Sequence, residues 1–370
     1  MYKSSLPLFL ILWLPVLLMA QPDPLADAKQ KVEAGDFAGA RAALNTVLES
    51  DPKNKSALML RAEARMGQDD YYGAISDLTY ALDIDSSDHR AFNLRGEAKM
   101  LLGDDEGAIE DFENAIRLNT GYADAYTNRG LARYNIEDLQ GAYFDFSKAL
   151  DIGPPDADKY FNRGLLKAEL GEFVSAIDDY TKAIELDKED ASLYNFRGVA
   201  HYGAGNFKEA IADYDISIKL DPEDPLKYEN RGLARSAMED YEGALADYTK
   251  AIELDPEEPD TYNLRGVVKY NLDDQDGAIA DYTSAIEIDN TNPIYYDNRA
   301  LSRMEKEDYQ GALEDYTTSI ELYPQDPETY YQRALVKLAM NNQYDACLDL
   351  KQADSRGSVD AKPLLKKHCK

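Results

Sequence analysis

Small residues recur along this chain at an interval of 34. The first set is Ala28, Ala62, Gly96, Gly130, Gly164, Gly198, Gly232, Gly266, Ala300 and Ala334. Twelve residues after each stands an alanine: Ala40, Ala74, Ala108, Ala142, Ala176, Ala210, Ala244, Ala278, Ala312 and Ala346. A long period held without insertion or deletion marks a stack of supersecondary units, each able to bury its apolar face only against its neighbours. Ten units fill residues 21–360: 21–54, 55–88, 89–122, 123–156, 157–190, 191–224, 225–258, 259–292, 293–326 and 327–360. The small residues imply close helix contact, because a larger side chain at either place would push paired helices apart.

The residues around them keep helical spacing. An aromatic precedes the first small residue by four, as in Phe92, Tyr126, Tyr194 and Tyr262, and another follows the alanine by four, as in Phe112, Phe146, Tyr180 and Tyr214. A small residue three further on, Ala183 or Ala251, completes the i, i+4, i+7 stripe of an amphipathic helix. Each unit therefore predicts two helices. Gly or acidic residues mark the turn within a unit, and Leu-Asp-Pro, as at Leu220-Asp221-Pro222, marks the turn between units. Nine units carry an Arg just before the first small residue, from Arg61 to Arg333, and nine an Asp sixteen residues later, from Asp77 to Asp349. Such a fixed offset predicts a ladder of ion pairs within or between units. In the alternative, the Arg row faces a ligand's carboxylates.

An aromatic, a small residue, then Tyr, Ala, an aromatic and Pro within 34 residues resembles the tetratricopeptide repeat. The resemblance spans essentially all of 21–360. It departs consistently in using Tyr where Trp is usual and Arg where Leu precedes Gly; the sole tryptophan is Trp13. The resemblance implies an all-α, right-handed α-α superhelical solenoid of ten helical hairpins, closed by a C-terminal capping helix at 358–370. The first unit, with Pro24 in place of the aromatic, suits a polar cap at the other end. Leu364 and Leu365 would cover the last unit's open face. Cys347 and Cys369 flank the turn at Gly357 at similar distances, which in an antiparallel hairpin permits a disulfide; two free thiols are the alternative.

The N-terminus reads as an export signal, residues 1–20. Lys3 is its only charge, Leu6 to Met19 is apolar, and Ala20 precedes polar Gln21-Pro22-Asp23. This implies a periplasmic or secreted protein with no membrane insertion after cleavage, an uncleaved anchor being the alternative. The net charge of -30 argues against nucleic acid and membrane-surface partners.

Chemistry-bearing patterns are missing. The histidines, His89, His201 and His368, are scattered, and no Cys or His cluster has metal-ligand spacing. No Gly-rich loop has nucleotide-binding spacing. Asp273-Asp274-Gln275-Asp276-Gly277 lacks the alternation and terminal Glu of a calcium loop and reads as a turn. No catalytic, cofactor or metal residues are therefore assigned, and the chain is not expected to be an enzyme.

In the family resembled, the first helix of each unit lines a concave groove. Residues expected there are the aliphatics Leu131, Leu165, Val199, Leu233, Val267 and Leu301, and the tyrosines Tyr134, Tyr202 and Tyr270, which recur in every second unit. Phe161 and Tyr331, four residues before the aliphatic row, are added to them. The stripe would suit an extended peptide or an amphipathic partner helix; alternatively the aliphatics pack between neighbouring first helices. The Lys pattern with which some family members clamp a C-terminal carboxylate is missing. The expected function is a protein-interaction scaffold. The rival is a carrier or regulator that holds a cationic ligand or basic partner on its acidic surface.

Overall fold

The computed structural model describes residues 23–369; the expected export signal lies outside the described residues. Every regular element among them is α-helical, and none is long and apolar enough to cross a membrane. Contacts divide the chain into two compact units, 1–154 and 155–370. The first contains α1 (Pro24–Glu33), α2 (Phe37–Ser50), α3 (Lys55–Met66), α4 (Tyr71–Ile84), α5 (His89–Leu101), α6 (Asp105–Leu118), α7 (Ala123–Asn135) and α8 (Leu139–Ile152). The second runs α9 (Ala157–Glu169), α10 (Phe173–Leu186), α11 (Ala191–Gly203), α12 (Phe207–Leu220), α13 (Pro225–Ala237) and α14 (Tyr241–Leu254). It continues with α15 (Pro259–Asn271), α16 (Gln275–Ile288), α17 (Pro293–Glu305), α18 (Tyr309–Leu322), α19 (Pro327–Ala339), α20 (Gln343–Ser355) and α21 (Ala361–His368). The sequence period runs through residue 154 without a slip, so it gives no warning of the division. The local chemistry does change there: Gly153-Pro154-Pro155 replaces the usual Asp-Pro turn, and two consecutive prolines remove two backbone donors.

Odd- and even-numbered helices pair as antiparallel hairpins, and each hairpin packs on the next within its unit. The two small positions serve different contacts. A Cβ on Gly96, Gly130, Gly198 or Gly266 would stand 2.6 Å from the aromatic ring sixteen residues later on the partner helix, Phe112, Phe146, Tyr214 or Tyr282. The hairpin thus closes by setting a ring directly on a glycine backbone. Where the small residue is Ala28, Ala62 or Ala334, the opposing residue is the narrower Leu44, Leu78 or Leu350. Ala300 opposite Tyr316 breaks this rule. The recurrent alanine of the second helix instead faces the next hairpin: Ala108 clusters with Ala132, Ala176 with Ala200, and Ala210 with Ala234, all fully buried.

The Arg-Asp ladder is complete. Each of the nine Arg residues grips its Asp with two N–H donors, the shorter contact being 2.6–2.8 Å. The nine Asp residues are at most 4% exposed. Several of the same Arg residues reach back to the preceding second helix, as Arg95 does to Thr79 at 3.2 Å and Arg333 to Thr317 at 3.2 Å. Eight also lie over the aromatic ring three residues earlier, at 5.5–6.0 Å. The ladder therefore works both within and between hairpins, and the guanidinium groups are occupied by protein carboxylates.

A second row of cations, one turn after the Arg, completes the clamp. Arg65, Lys99, Arg133, Lys167, Arg235, Lys269, Arg303 and Lys337 approach the second carboxylate oxygen at 2.6–2.9 Å. At Asp179, burial pushes the carboxyl up, but hydrogen bonds from Arg163 and Lys167 outweigh it and hold the group below the usual carboxylate range. Only His201 interrupts the row, standing 3.9 Å from Asp213. Burial pushes its imidazole down, partly offset by the Asp213 charge, so it is the weakest cation of the series.

Turns within hairpins place one residue at positive φ, then a cap. Asp273 has φ of 62°, and Asp274 caps α16 by accepting the Gly277 N–H at 2.9 Å. That acidic run is therefore helix-start chemistry. At the end of the chain, Leu364, Leu365 and Cys369 pack on Ala346, Leu350 and Ala353, and Cys347 is bonded to Cys369 with a Cα–Cα distance of 5.6 Å. The helix is shorter than 358–370. Gly357 turns at φ of 107° and the Ser358 N–H returns to the Ala353 carbonyl, so helical geometry begins only at Ala361.

Gly198→Ala should destabilise the C-terminal unit by about 1–3 kcal/mol, because the added methyl overlaps a packed ring. Adding Tyr214→Leu should recover most of the loss in urea melts; failure to recover would remove the size-matching argument. Asp281→Asn, which leaves Arg265 and Lys269 without their carboxylate, should cost about 3–5 kcal/mol, and Asp213→Asn, with one close cation, distinctly less. Equal losses would contradict the clamp.

Candidate functional site

Within each unit, neighbouring first helices touch one another: α1, α3, α5 and α7 in the first, α9, α11 and α13, then α15 and α17, in the second. Polar rungs join them on this side. Asn128 donates to Asn93 at 3.1 Å and to Glu97 at 2.6 Å, Asn230 to Asn195 at 3.2 Å, and Asn298 to Asn263 at 2.8 Å. The first-helix layer thus carries its own polar frame in each unit.

The residues expected to line a groove are divided between the units. Leu131 and Tyr134 belong to the first; Phe161, Leu165, Val199, Tyr202, Leu233, Val267, Tyr270, Leu301 and Tyr331 belong to the second. Val199 and Val267 are exposed, and the rest of the aliphatic row is half-buried. Phe161 is tied into packing: its ring sits edge-on to Phe196 at 4.9 Å and near Tyr180 at 6.0 Å. Tyr331 packs against the capping cluster beside Leu364 and Leu365. Tyr202 pairs with the Phe207 ring at 5.3 Å while keeping a half-exposed edge. Burial pushes the Tyr270 hydroxyl up, helped by the Glu305 and Asp273 charges.

The structure brings three of these residues together. Tyr202 of α11, Leu233 of α13 and Val267 of α15 line one cavity of about 290 Å³, floored by Tyr248 and Val268. Ala237 and Tyr241 also line it, as do Ser236, Leu264 and Asn271. The last three were not singled out from the sequence. Leu264 had a signal: it stands where neighbouring hairpins place Asn230 and Asn298, so it breaks the polar frame and opens an apolar gap.

A second, smaller cavity of about 180 Å³ lies between α17 and α19. Leu301 and Tyr316 are its apolar part, and Asp297, Asp326 and Glu328 stand around it. The Thr329 hydroxyl lies between Asp326 at 2.7 Å and Asp297 at 3.2 Å. Burial pushes the Asp297 carboxyl up to about 6; hydrogen bonds from Ser319 and Thr329 oppose the shift, and the Asp326 and Asp315 charges add to it. In the first unit, Glu63 and Glu97 occupy the place of the aliphatic row and are likewise pushed up, mainly by burial. Among the described residues no group of His, Cys, Asp and Glu has the arrangement of a metal site.

Family models of the tetratricopeptide repeat match residues 25–89, 161–225, 199–265 and 259–292, and a TPR repeat model matches 96–136. Together they cover more than half of the chain. A comparison with curated proteins finds no match. Among solved structures, the C-terminal part of a TPR repeat-containing protein from Cytophaga hutchinsonii is 19% identical with a TM-score of 0.52, covering 65% of this chain and 98% of that one. A tetratricopeptide repeat protein from Parabacteroides merdae is 19% identical, with a TM-score of 0.49 and coverage of 67% and 98%. YrrB, a TPR protein whose structure is described as having an unusual peptide-binding site, is 23% identical, with a TM-score of 0.45 and coverage of 48% and 92%. With its period, its ring-on-glycine hairpins and these family matches, the chain belongs to the tetratricopeptide repeat family.

Proposed function

We propose that this protein is a non-catalytic interaction scaffold, exported to the periplasm or the cell exterior, that takes a peptide or partner helix on the first-helix face of residues 155–370. One observation carries the reading: the cavity lined by Tyr202, Leu233 and Val267 gathers side chains from three successive hairpins and keeps their apolar edges accessible. Apolar walls with a polar group at the rim, here the exposed Asn271, suit the anchoring side chain of a bound segment. Affinity would come from several modest contacts along successive hairpins. The apolar run Leu6 to Met19 and the Cys347–Cys369 bond support export.

A second reading rests on the smaller cavity. Asp297, Asp326 and Glu328 around an apolar floor would favour a cationic ligand or a basic side chain of a partner. The two readings differ in salt dependence, mild for the apolar cavity and steep for the acidic one.

Purification of partners from the envelope fraction should recover the same set with wild type and Tyr143→Ala, and lose it with Leu233→Glu combined with Tyr202→Ala. Unchanged recovery with the double variant would sink the cavity as the site. For the second reading, a cationic ligand should bind more tightly as pH rises through about 6, where the Asp297 carboxyl loses its proton. Asp297→Asn should flatten that profile in calorimetric titration; a flat wild-type profile would refute it.

A further inference from the structure

The acidic balance of the chain is not uniform. From Arg356 to the last residue, Arg356, Lys362, Lys366, Lys367 and Lys370 stand against a single acid, Asp360. On α21, Lys362, Lys366 and Lys367 are exposed. Lys362 lies 3.9 Å from Asp354, while Lys366 and Lys367 make no ion pair among the described residues. On the neighbouring α20, Tyr344, Leu348 and Lys351 follow the i, i+4, i+7 spacing of one helix face. Tyr344 is 77% exposed and Leu348 45%. All three line one cavity with His368 and Cys369 of the end segment, so Lys351 and the apolar tips of α20 lie against the C-terminal end of α21, where His368 follows Lys366 and Lys367 in the chain. The disulfide fixes the two helices side by side. Val359, in the turn between them, is 75% exposed.

Of the acids on α20, Asp349 is held by Arg333 and Lys337 and Asp354 lies beside Lys362, so Asp345 alone opposes the neighbouring cations. The net charge of the whole chain does not decide what this end attracts. At physiological salt the screening length is about 8 Å, and packed helices lie about 8–10 Å apart. Acidic groups more than one helix layer away are therefore largely screened, and the local positive charge governs.

We propose that this flank of α20 and α21 docks the protein on an anionic membrane surface. Lys side chains can lay their stems on the interface while their ammonium groups meet lipid phosphates. Tyr344, Leu348 and Val359 are separate protruding tips rather than a flat apolar area. A fluid headgroup layer accepts such tips one by one, and Tyr with its apolar ring and polar end suits that depth. A protein partner would require a complementary face of about 800 Å².

The test is flotation of the full chain with vesicles of phosphatidylcholine alone or mixed equally with phosphatidylglycerol, at low and high salt. The readout is the excess binding to the anionic vesicles, since any contribution of the N-terminal apolar segment is common to both. Each cation near such a surface contributes about fivefold. Lys351→Glu with Lys366→Glu and Lys367→Glu should therefore weaken that excess by at least about 100-fold, and Tyr344→Ser with Leu348→Ser by several-fold. Circular dichroism melts keep the comparison to folded protein, and Lys366→Gln with Lys367→Gln serves if the triple variant fails to fold. High salt should abolish the excess. Equal binding to both vesicle types, or an unchanged excess in the charge variants, would overturn the proposal. So would self-association in light scattering that disappears with the charge variants while vesicles are ignored, because it would assign the flank to an acidic protein face.

Discussion

A ring resting on a helix backbone, where a Cβ would otherwise stand, sets the geometry on which the rest of this protein depends. It fixes how closely the two helices of a hairpin approach, and that approach brings each Asp of the second helix within reach of the Arg on the first. The bidentate contacts of 2.6–2.8 Å form in glycine and alanine hairpins alike. Without them, nine buried carboxylates would lose the cations that make their burial tolerable. The packing contact and the ionic contact are one constraint seen at two positions of the same helix pair, and repetition turns it into an architecture.

The clamps also govern the electrostatic character of the surface. Two rows of cations are drawn inward to neutralise one row of Asp, which leaves the outer surface to the remaining acids. Where the pattern relaxes, local character changes. His201 replaces a full cation at one hairpin, Leu264 replaces a polar rung beside an apolar cavity, and the last helix reverses the sign of the charge. Functional surfaces in a repeat protein arise at such departures, because the residues that obey the repeat are already engaged in holding neighbours.

Much of the fold was readable because it is written ten times. The hairpins, the Arg-Asp offset and the covering role of Leu364 and Leu365 all follow from spacing. The second cation row was equally accessible by the same stepping from Arg65 to Lys337, but its mixture of Arg, Lys and one His hides a shared role that only the common Asp partner reveals. The site was less readable. Val199 and Phe161 both sit on a first helix at patterned positions, yet one is exposed and the other is locked between Phe196 and Tyr180. Side-chain size at neighbouring hairpins decides this, and no single repeat carries that information.

The sequence by itself determined the number of hairpins, the places of close helix contact and the constant offset of Arg from Asp, because each depends on chemistry repeated at fixed separation along one chain. Only the tertiary structure decided the division at Pro154, the three-hairpin cavity around Tyr202, Leu233 and Val267, the rise of the Asp297 carboxyl to about 6, and the joining of Tyr344 and Leu348 to a basic end. These depend on which surfaces successive hairpins leave uncovered and on how far water is excluded there, quantities set by neighbours across space and invisible to a period of 34.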